Sequence, residues 1–251
     1  MFGFIYSLVA YVAFLVAFAG LVFFTDGVLL PKTVDTGVAG QFGVALAINI
    51  GLILAWGVQH SVMARQSFKD RLTRILPEHL ERSTYVLASS LTLAGLMLLW
   101  QPMEGVLWHV ESQPLVITLW VVNGLAWAGV PLVSFMIDHF DLFGLKQAFT
   151  QWRRRSFERT GFVMPWLYRY VRHPMMTAIL LALWVTPHMT VSHLVLALGM
   201  SVYIYVGVYF EERSLARELG QAYVDYRAKT PKFLPGLPGA GAGPEEHVAT
   251  T

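Results

Sequence analysis

The chain has 251 residues, of which 55% are hydrophobic and only 14% are charged. Ordinary soluble domains carry about 25% charged residues, so this composition excludes a soluble fold and indicates an integral membrane protein. The formal net charge of +2 gives no reason to expect nucleic acid as a partner. Because the chain has no cysteine, disulfides, thiolate metal sites and a cysteine nucleophile are excluded.

Six apolar stretches follow one another along the chain, and one bilayer crossing takes about 20 residues. The first stretch has no basic region before it, so we expect a retained span and not a cleaved signal peptide. The last two flank Pro187 within residues 175–210, which contain no Asp, Glu, Lys or Arg, and they predict a helical hairpin. The predicted spans cover about residues 4–24, 42–62, 84–100, 115–137, 174–185 and 192–210. The predicted fold class is an all-α integral membrane protein with five to six transmembrane helices.

Basic residues are concentrated in alternate loops of this arrangement. The loops after the first, third and fifth spans hold one basic residue between them, Lys32. The basic residues near the second and fourth loops are Arg65, Lys69, Arg71, Arg74, Arg82, Lys146, Arg153, Arg154, Arg155, Arg159 and Arg169. The positive-inside rule therefore predicts that both termini lie in the cytoplasm.

The segments outside the spans differ in character. Residues 142–171 mix basic and aromatic side chains, which predicts short amphipathic helices on the membrane surface. Residues 211–226 carry apolar side chains at helical spacing, and Pro231 ends that pattern. Residues 236–251 are rich in Gly, Pro and Ala, so we expect a single membrane domain over residues 1–235 and a disordered tail.

Two pairs of ionisable residues stand at the ends of the hairpin, Arg172-His173 before it and Glu211-Glu212 after it. A hairpin returns the chain to the membrane surface that it left, so the two pairs should face each other. Each member alone also fits an interface anchor or an ordinary helix end. Together they suit a zwitterionic or cationic ligand, because Arg binds carboxylates through two parallel hydrogen bonds and aromatic faces attract cations.

Other classes of site have less support. His60, His139 and His173 lack a short ligand spacing such as H-x-x-x-H, so no metal is expected. There is no Gly-rich loop after a strand and no strand pattern at all, which excludes a soluble Rossmann cofactor domain. A non-enzymatic binder or transporter stays open, although a transporter is expected to carry an internal repeat, and none is visible.

The order of motifs after residue 171 resembles the membrane methyltransferases typified by isoprenylcysteine carboxyl methyltransferase and phospholipid methyltransferase. Their shared pattern is R-H-P, a helical hairpin, E-E and then L-x3-F/L-G-x2-Y-x2-Y. Here it reads Arg172-His173-Pro174, Glu211-Glu212, Leu215, Leu219-Gly220, Tyr223 and Tyr226. The chain departs from the pattern at Met176 and Ala178, and we expect Ala178 to alter how closely the cofactor approaches the helix. The resemblance implies S-adenosylmethionine as the cofactor, with its binding part in residues 166–235.

Four further strings resemble the methanethiol S-methyltransferases, which make dimethyl sulfide from methanethiol and S-adenosylmethionine. They are QHSVMAR at residues 59–65, ERSTYVL at 81–87, HFDLFGL at 139–145 and WVTPHMT at 184–190. One departure is Ser214, where that family commonly has an acidic residue. The alternatives are another small thiol or selenol, a lipid or prenylated acceptor, or a non-enzymatic denitrification-associated membrane protein of the same scaffold.

The resemblance implies a role for each candidate residue. Arg172 and His173 would hold the methionine or ribose end of the cofactor, and Glu211 and Glu212 its ammonium or ribose hydroxyls. The pocket would be walled by Tyr168 and Tyr223. A base that forms the thiolate is useful, and the candidates are His139, Asp141 and His60, with His139 first. The expected partners are a small thiol and the lipid bilayer of a bacterial inner membrane, with no obligate protein partner.

Overall fold

A computed structural model describes residues 1–157 and 166–236. Within these residues, five helices are long and apolar enough to cross a membrane, namely α1, α2, α4, α5 and α9. The helices are α1 Phe2–Asp26, α2 Phe42–Ala64, α3 Gln66–Leu72, α4 Glu78–Leu99, α5 Gln113–Ile137, α6 His139–Leu142, α7 Leu145–Trp152, α8 Pro174–Trp184, α9 Val191–Leu219 and α10 Gln221–Lys229. The prediction of an all-α integral membrane protein with five to six spans is confirmed.

The first arm of the predicted hairpin, α8, is a short helix. Its 11 residues rise about 16 Å at 1.5 Å per residue, against a hydrocarbon layer of about 30 Å. The side-chain nitrogen of Asn123 donates to the carbonyls of Ala182, at 2.9 Å, and Val185, at 3.0 Å. The Nε2 atom of His193 donates to the carbonyl of Leu183 at 2.9 Å. These bonds satisfy backbone groups that have no water to bind where the helix ends inside the bundle.

A two-stranded antiparallel ribbon fixes the tip of the hairpin. Strand β1, Val106–His109, follows α4, and strand β2, His188–Thr190, links α8 to α9. In this ribbon His109 stands opposite His188, with 3.1 Å between their Nδ1 atoms. The expectation of no strand was wrong here, because strands of four and three residues are too short to show a periodic pattern.

A polar chain inside the apolar core joins the helices at this end of the bundle. The indole nitrogen of Trp100 donates to the hydroxyl of Ser192 at 3.0 Å, and that hydroxyl donates to the carbonyl of Val34 at 2.7 Å. Trp100 is fully buried and packs in a cluster with Phe24 and Leu96. The ribbon end is therefore closed by both apolar packing and hydrogen bonds.

The opposite end of the bundle carries the charged ends of the hairpin. Helix α9 continues without a break past residue 210 to Leu219, and α10 begins after Gly220, whose φ of +61° favours glycine. The amphipathic segment contains α6, α7 and a turn of 3-10 helix at Trp166–Arg169. Arg159 lies outside the described residues, as does the predicted tail beyond Gly236.

Candidate active site

The ends of the hairpin meet at the side chain of Glu212. Its Oε1 atom accepts hydrogen bonds from the Nε atom of Arg172 at 2.9 Å and the Nε2 atom of His173 at 3.1 Å. The Nη2 atom of Arg172 is 2.8 Å from the same oxygen, and the Nζ atom of Lys232 is 3.5 Å from Oε2. The side chains of Arg172 and Glu212 are buried, with 9% and 8% exposed. A buried carboxylate is stable only with such charged partners.

The segment after α10 holds the Arg172-His173 pair in place. The backbone N–H of Arg172 donates to the carbonyl of Pro231 at 2.9 Å, and that of His173 donates to the carbonyl of Lys232 at 3.2 Å. The guanidinium of Arg172 also donates to the carbonyl of Thr230. Arg172 thus satisfies chain carbonyls and a carboxylate with its fixed fork of donors, which Lys cannot reproduce.

Glu211 occupies a different environment from its neighbour. Its side chain is 53% exposed, and its Oε2 atom lies 3.6 Å from the Nδ1 atom of His173. The ring of His173 therefore stands between the two carboxylates, with one nitrogen toward each. Glu212 is fixed by its partners, whereas Glu211 reaches the cavity described next and can contact a ligand.

A cavity of about 580 Å³ opens beside this ion network. One side, the C-terminal wall, is formed by Tyr168, Arg172, His173, Met175, Met176, Glu211, Leu215, Tyr223 and Tyr226. The other side, the N-terminal wall, is formed by Lys69, Glu81, Arg82, Ile137, Asp138, Asp141, Leu142 and Gln147. The cavity therefore lies between the end of the hairpin and the ends of the earlier helices.

Three residues of the cavity lining each have a buried polar atom with no hydrogen-bond partner among the residues described. These atoms are Oε1 of Glu81, Oε1 of Gln147 and the hydroxyl of Tyr223. Leaving a buried donor or acceptor unpaired costs about 1–3 kcal/mol, so these atoms mark a place for a polar ligand. The S-adenosylmethionine implied by the sequence resemblance fits, since it offers an ammonium, hydroxyls and an amine to such acceptors, and a carboxylate to cationic side chains.

The tyrosines of the C-terminal wall stay protonated. Burial, together with the charge of Glu211, raises the pKa of Tyr168 to about 12. Burial and the charge of Glu212 also raise the pKa of the Tyr223 hydroxyl. The hydroxyl of Tyr226 donates to the carbonyl of Tyr168 at 2.7 Å, which fixes one side of the pocket. The wall thus offers neutral hydroxyls and ring faces that suit a cationic sulfur.

The two departures from the sequence pattern have different surroundings. Met176 lines the cavity. Ala178 is buried against α5, where a Cβ added at Gly129 would stand 3.3 Å from the Ala178 Cβ. Ala178 therefore faces a neighbouring helix and does not line the cavity, and its effect on the approach of a cofactor stays a prediction. Ser214 is half-buried and donates to Glu218 at 3.2 Å.

The first candidate base, His139, has both ring nitrogens engaged. Its Nε2 atom is 2.7 Å from the hydroxyl of Tyr11, and its Nδ1 atom is 2.7 Å from the hydroxyl of Ser134. The ring stacks on Phe135 with 4.0 Å between centroids. Burial lowers the pKa of His139, which favours a neutral imidazole. His139 is absent from the cavity lining, so the structure does not bring it to the other candidates.

The two remaining candidate bases, His60 and Asp141, lie in different surroundings. His60 bonds to the hydroxyls of Tyr85, at 2.7 Å, and Ser89, at 3.2 Å, and it does not line the cavity. Asp141 does line the cavity, and its Oδ1 atom accepts a 2.6 Å hydrogen bond from Gln147. Of the three, only Asp141 shares the cavity with the residues predicted to bind the cofactor. Within the described ranges, no three His, Asp or Glu side chains are grouped so that they could hold a metal.

Several cavity residues were missed from the sequence. Glu81 lies within the quoted string at residues 81–87, and a carboxylate beside Arg82 at the start of an apolar span was an available signal. Gln147 gave no signal, because a glutamine on a short surface helix is ordinary. Lys232 contributes through its position after Pro231, which only the folded chain brings to Glu212.

Comparison with known proteins finds relatives over nearly the whole chain. It is 44% identical to methanethiol S-methyltransferase of Mycobacterium tuberculosis over 231 residues, covering 92% of this chain and 95% of the relative. It is 42% identical to methanethiol S-methyltransferase 2 of Bradyrhizobium diazoefficiens over 237 residues, covering 93% and 90%. Nurim of Xenopus laevis is 31% identical over 172 residues, covering 65% and 60%. No protein-family model matches the chain, and no solved structure matches it significantly.

Proposed function

Since this chain belongs to the methanethiol S-methyltransferase family, we propose that it transfers a methyl group from S-adenosylmethionine to methanethiol and forms dimethyl sulfide. The observation that carries this proposal is the cavity between the two walls. It combines a buried ion network with three unpaired polar atoms, which suits a charged, hydroxyl-rich ligand. When bound, S-adenosylmethionine supplies an electrophilic methyl group on its sulfonium sulfur.

The C-terminal wall has the groups to hold the donor. The half-exposed carboxylate of Glu211 would accept from its ammonium or a ribose hydroxyl. Arg172 and His173 would face its carboxylate or ribose, while Glu212 holds both side chains in position. Tyr168 and Tyr223 would place ring faces and a free hydroxyl against the bound molecule. Fixing donor and acceptor in line supplies much of a rate enhancement without further chemistry.

The size of the cavity favours a small acceptor. Its volume of about 580 Å³ lies within the roughly 300–1,000 Å³ of ordinary small-molecule pockets. A nucleoside-containing donor takes much of that space, and a methanethiol molecule needs little more. The alternative acceptors are another small thiol or selenol, a lipid or a prenylated thiol. A lipid or prenylated acceptor would have to leave its chains outside the cavity.

The placement in the membrane belongs to the same proposal. Five spans support an integral membrane protein. Lys69 and Arg82 line the cavity, whereas Lys32 bonds to the carbonyl of Trp100 near the ribbon end. The positive-inside rule then directs the cavity to the cytoplasm. We place the protein in a bacterial inner membrane, with both termini in the cytoplasm.

The test measures two quantities on the full chain purified in detergent. Calorimetry with S-adenosylmethionine reports donor binding, and headspace gas chromatography reports dimethyl sulfide with and without methanethiol. We expect saturable binding and product only when both substrates are present. Donor binding without dimethyl sulfide would refute the acceptor. Absence of donor binding in a folded sample would refute the enzyme and favour a non-enzymatic membrane protein of this scaffold.

A further inference from the structure

Four carboxylates line the cavity, and three of them already have partners. Asp138 pairs with Lys146, Asp141 accepts from Gln147 at 2.6 Å, and Glu211 lies 3.6 Å from His173. The fourth, Glu81, is 8% exposed, and its Oε1 atom has no hydrogen-bond partner among the described residues. A cavity-lining carboxylate with an unpaired oxygen gains from accepting a hydrogen bond or a proton, because leaving a buried acceptor unpaired is costly.

Glu81 belongs to the N-terminal wall, whereas the features of a donor site belong to the C-terminal wall. It lies in the first turn of α4, whereas the Arg172–Glu212 network, Glu211 and the tyrosines belong to residues 168–226. A nucleophile must approach the sulfonium methyl from the side away from the donor sulfur. With the donor held by the C-terminal wall, we expect the acceptor to bind against the N-terminal wall, which contains Glu81.

Positive charge lies close to Glu81 on the same wall. Arg82 follows it in sequence and is held by a 2.8 Å hydrogen bond from its Nε atom to the carbonyl of Leu142. The guanidinium also lies 5.5 Å from the centre of the Tyr85 ring, which fixes its position further. Lys69 lines the wall as well. Cations beside a thiol lower its pKa and stabilise the thiolate, so this wall has both a proton acceptor and positive charge.

We propose that Glu81 is the catalytic base that takes the proton of the acceptor thiol. The inference rests on the proposed function. In the step, the S–H proton moves to the Glu81 carboxylate, and a lone pair of the sulfur forms the new S–CH₃ bond. The bond between that methyl and the donor sulfur breaks, its electron pair stays on that sulfur, and a neutral thioether leaves. Glu81 then returns the proton to water through the open side of the cavity.

The test compares Glu81→Gln, which has the same shape but cannot take a proton, with Glu78→Gln, which changes an exposed carboxylate in the same first turn of α4 outside the cavity lining. Removing a general base lowers kcat by about 10²- to 10⁴-fold. We expect a fall of that size for Glu81→Gln at neutral pH with methanethiol, and no measurable fall for Glu78→Gln. Donor affinity measured by calorimetry should stay within about twofold of the wild type for both variants.

Two further measurements separate a base from a merely structural role. The rate of Glu81→Gln should rise with pH as more thiol ionises in solution. The rate of the wild type should reach its maximum at a lower pH. Hydrogen sulfide is smaller and more acidic than methanethiol, so it should rescue Glu81→Gln in part when rates are followed as S-adenosylhomocysteine formed. Glu81→Asp, which keeps a carboxylate, should retain more activity than Glu81→Gln and a pH profile closer to the wild type. The other groups that titrate in this cavity, Asp138, Asp141, Lys69 and the C-terminal wall, are unchanged in the comparison.

The outcomes distinguish this inference from the proposed function. A wild type that binds donor but makes no dimethyl sulfide refutes the function. An active wild type with an equally active Glu81→Gln refutes only the base. Loss of donor affinity by about tenfold or more in Glu81→Gln would make Glu81 a donor-binding group. An equal loss of rate with both thiols at every pH would make it structural, and melting curves identify a variant that fails to fold.

Discussion

The two ends of the bundle treat buried polar groups in opposite ways. At the ribbon end, Asn49 exchanges two hydrogen bonds with the backbone of Gln101, at 2.7 and 2.9 Å, and Asn123 donates two to the end of α8. At the cavity end, Glu81, Gln147 and Tyr223 each keep an unpaired buried atom. Polar groups at the first end form hydrogen bonds within the fold, whereas those at the second keep hydrogen-bonding capacity that a ligand can use.

Because of this difference, effects on stability and effects on function should arise from different ends of the same pair of helices. The hairpin of α8 and α9 reaches both ends, so substitutions at its two extremities should affect different measurements. Changes near the cavity should act on donor binding and turnover, and changes near the ribbon should act on unfolding. Among the described residues, the indole nitrogens of Trp56 in α2 and Trp127 in α5 also have no acceptor in hydrogen-bonding geometry, and neither residue lines the cavity.

The largest effect is expected for Glu212→Ala, which leaves Arg172 and His173 without their shared carboxylate. Removing one partner of a buried ion pair costs roughly 3–5 kcal/mol. We expect donor binding to fall below detection by calorimetry, with a lower melting temperature. Glu211→Ala is the matched control, since its side chain is 53% exposed, and it should fold normally with a smaller loss of affinity. Normal donor affinity in Glu212→Ala would break the assignment of the cavity end to binding.

Asn123→Leu should lower stability without changing the kinetic constants. The carbonyls of Ala182 and Val185 lose their donor, and an unpaired buried carbonyl costs about 1–3 kcal/mol. Thermal unfolding of the detergent-solubilised protein measures the loss, and KM for donor and thiol should stay unchanged. Thr118→Val on the exposed side of the same helix serves as the control and should be neutral. A changed KM with unchanged stability would show that Asn123 acts on substrate binding and not on the stability of the fold.

Tyr223→Phe should weaken donor binding and spare the fold. The hydroxyl has no partner in the described structure, so its removal leaves stability equal or higher by about 1 kcal/mol, while donor affinity falls about three- to tenfold. Tyr226→Phe is the contrasting variant, because its hydroxyl donates to the Tyr168 carbonyl at 2.7 Å. That variant should lose stability. Equal melting curves and affinities for the two variants would contradict the distinction.

The smallest effect concerns pH and His139. Burial lowers its pKa in the folded state, so as the pH falls below about 6.5 the unfolded chain gains the proton first. The stability present above that pH is then lost as the pH falls. Melting temperatures at about pH 8 and about pH 5.5 should differ more for the wild type than for His139→Asn. A larger difference in the variant would show that His139 is charged in the folded state.

The sequence predicts the meeting of the hairpin ends, because charges flank a long apolar passage and a hairpin returns to its starting surface. It also predicts the five long spans from hydropathy. The sequence could not predict the hydrogen bond between His139 and Tyr11, because the two residues are 128 positions apart in the chain. The sequence places Glu81 beside Arg82 at the start of a span, but it does not show which acidic residue keeps an unpaired oxygen. Whether that oxygen has a hydrogen-bond partner depends on which side chains the folded chain brings near it.

The short length of α8 has a consequence for how the protein is made. An apolar segment of 11 residues is too short to be threaded into the bilayer alone, since an independent span needs about 20. The carbonyls of Ala182 and Val185 accept from Asn123 of α5, and that of Leu183 accepts from His193 of α9. During synthesis α8 must therefore wait for α9 and dock beside a helix already inserted. Arg172 and His173, the proposed donor-binding residues at its other end, reach their places only when this late insertion step is complete.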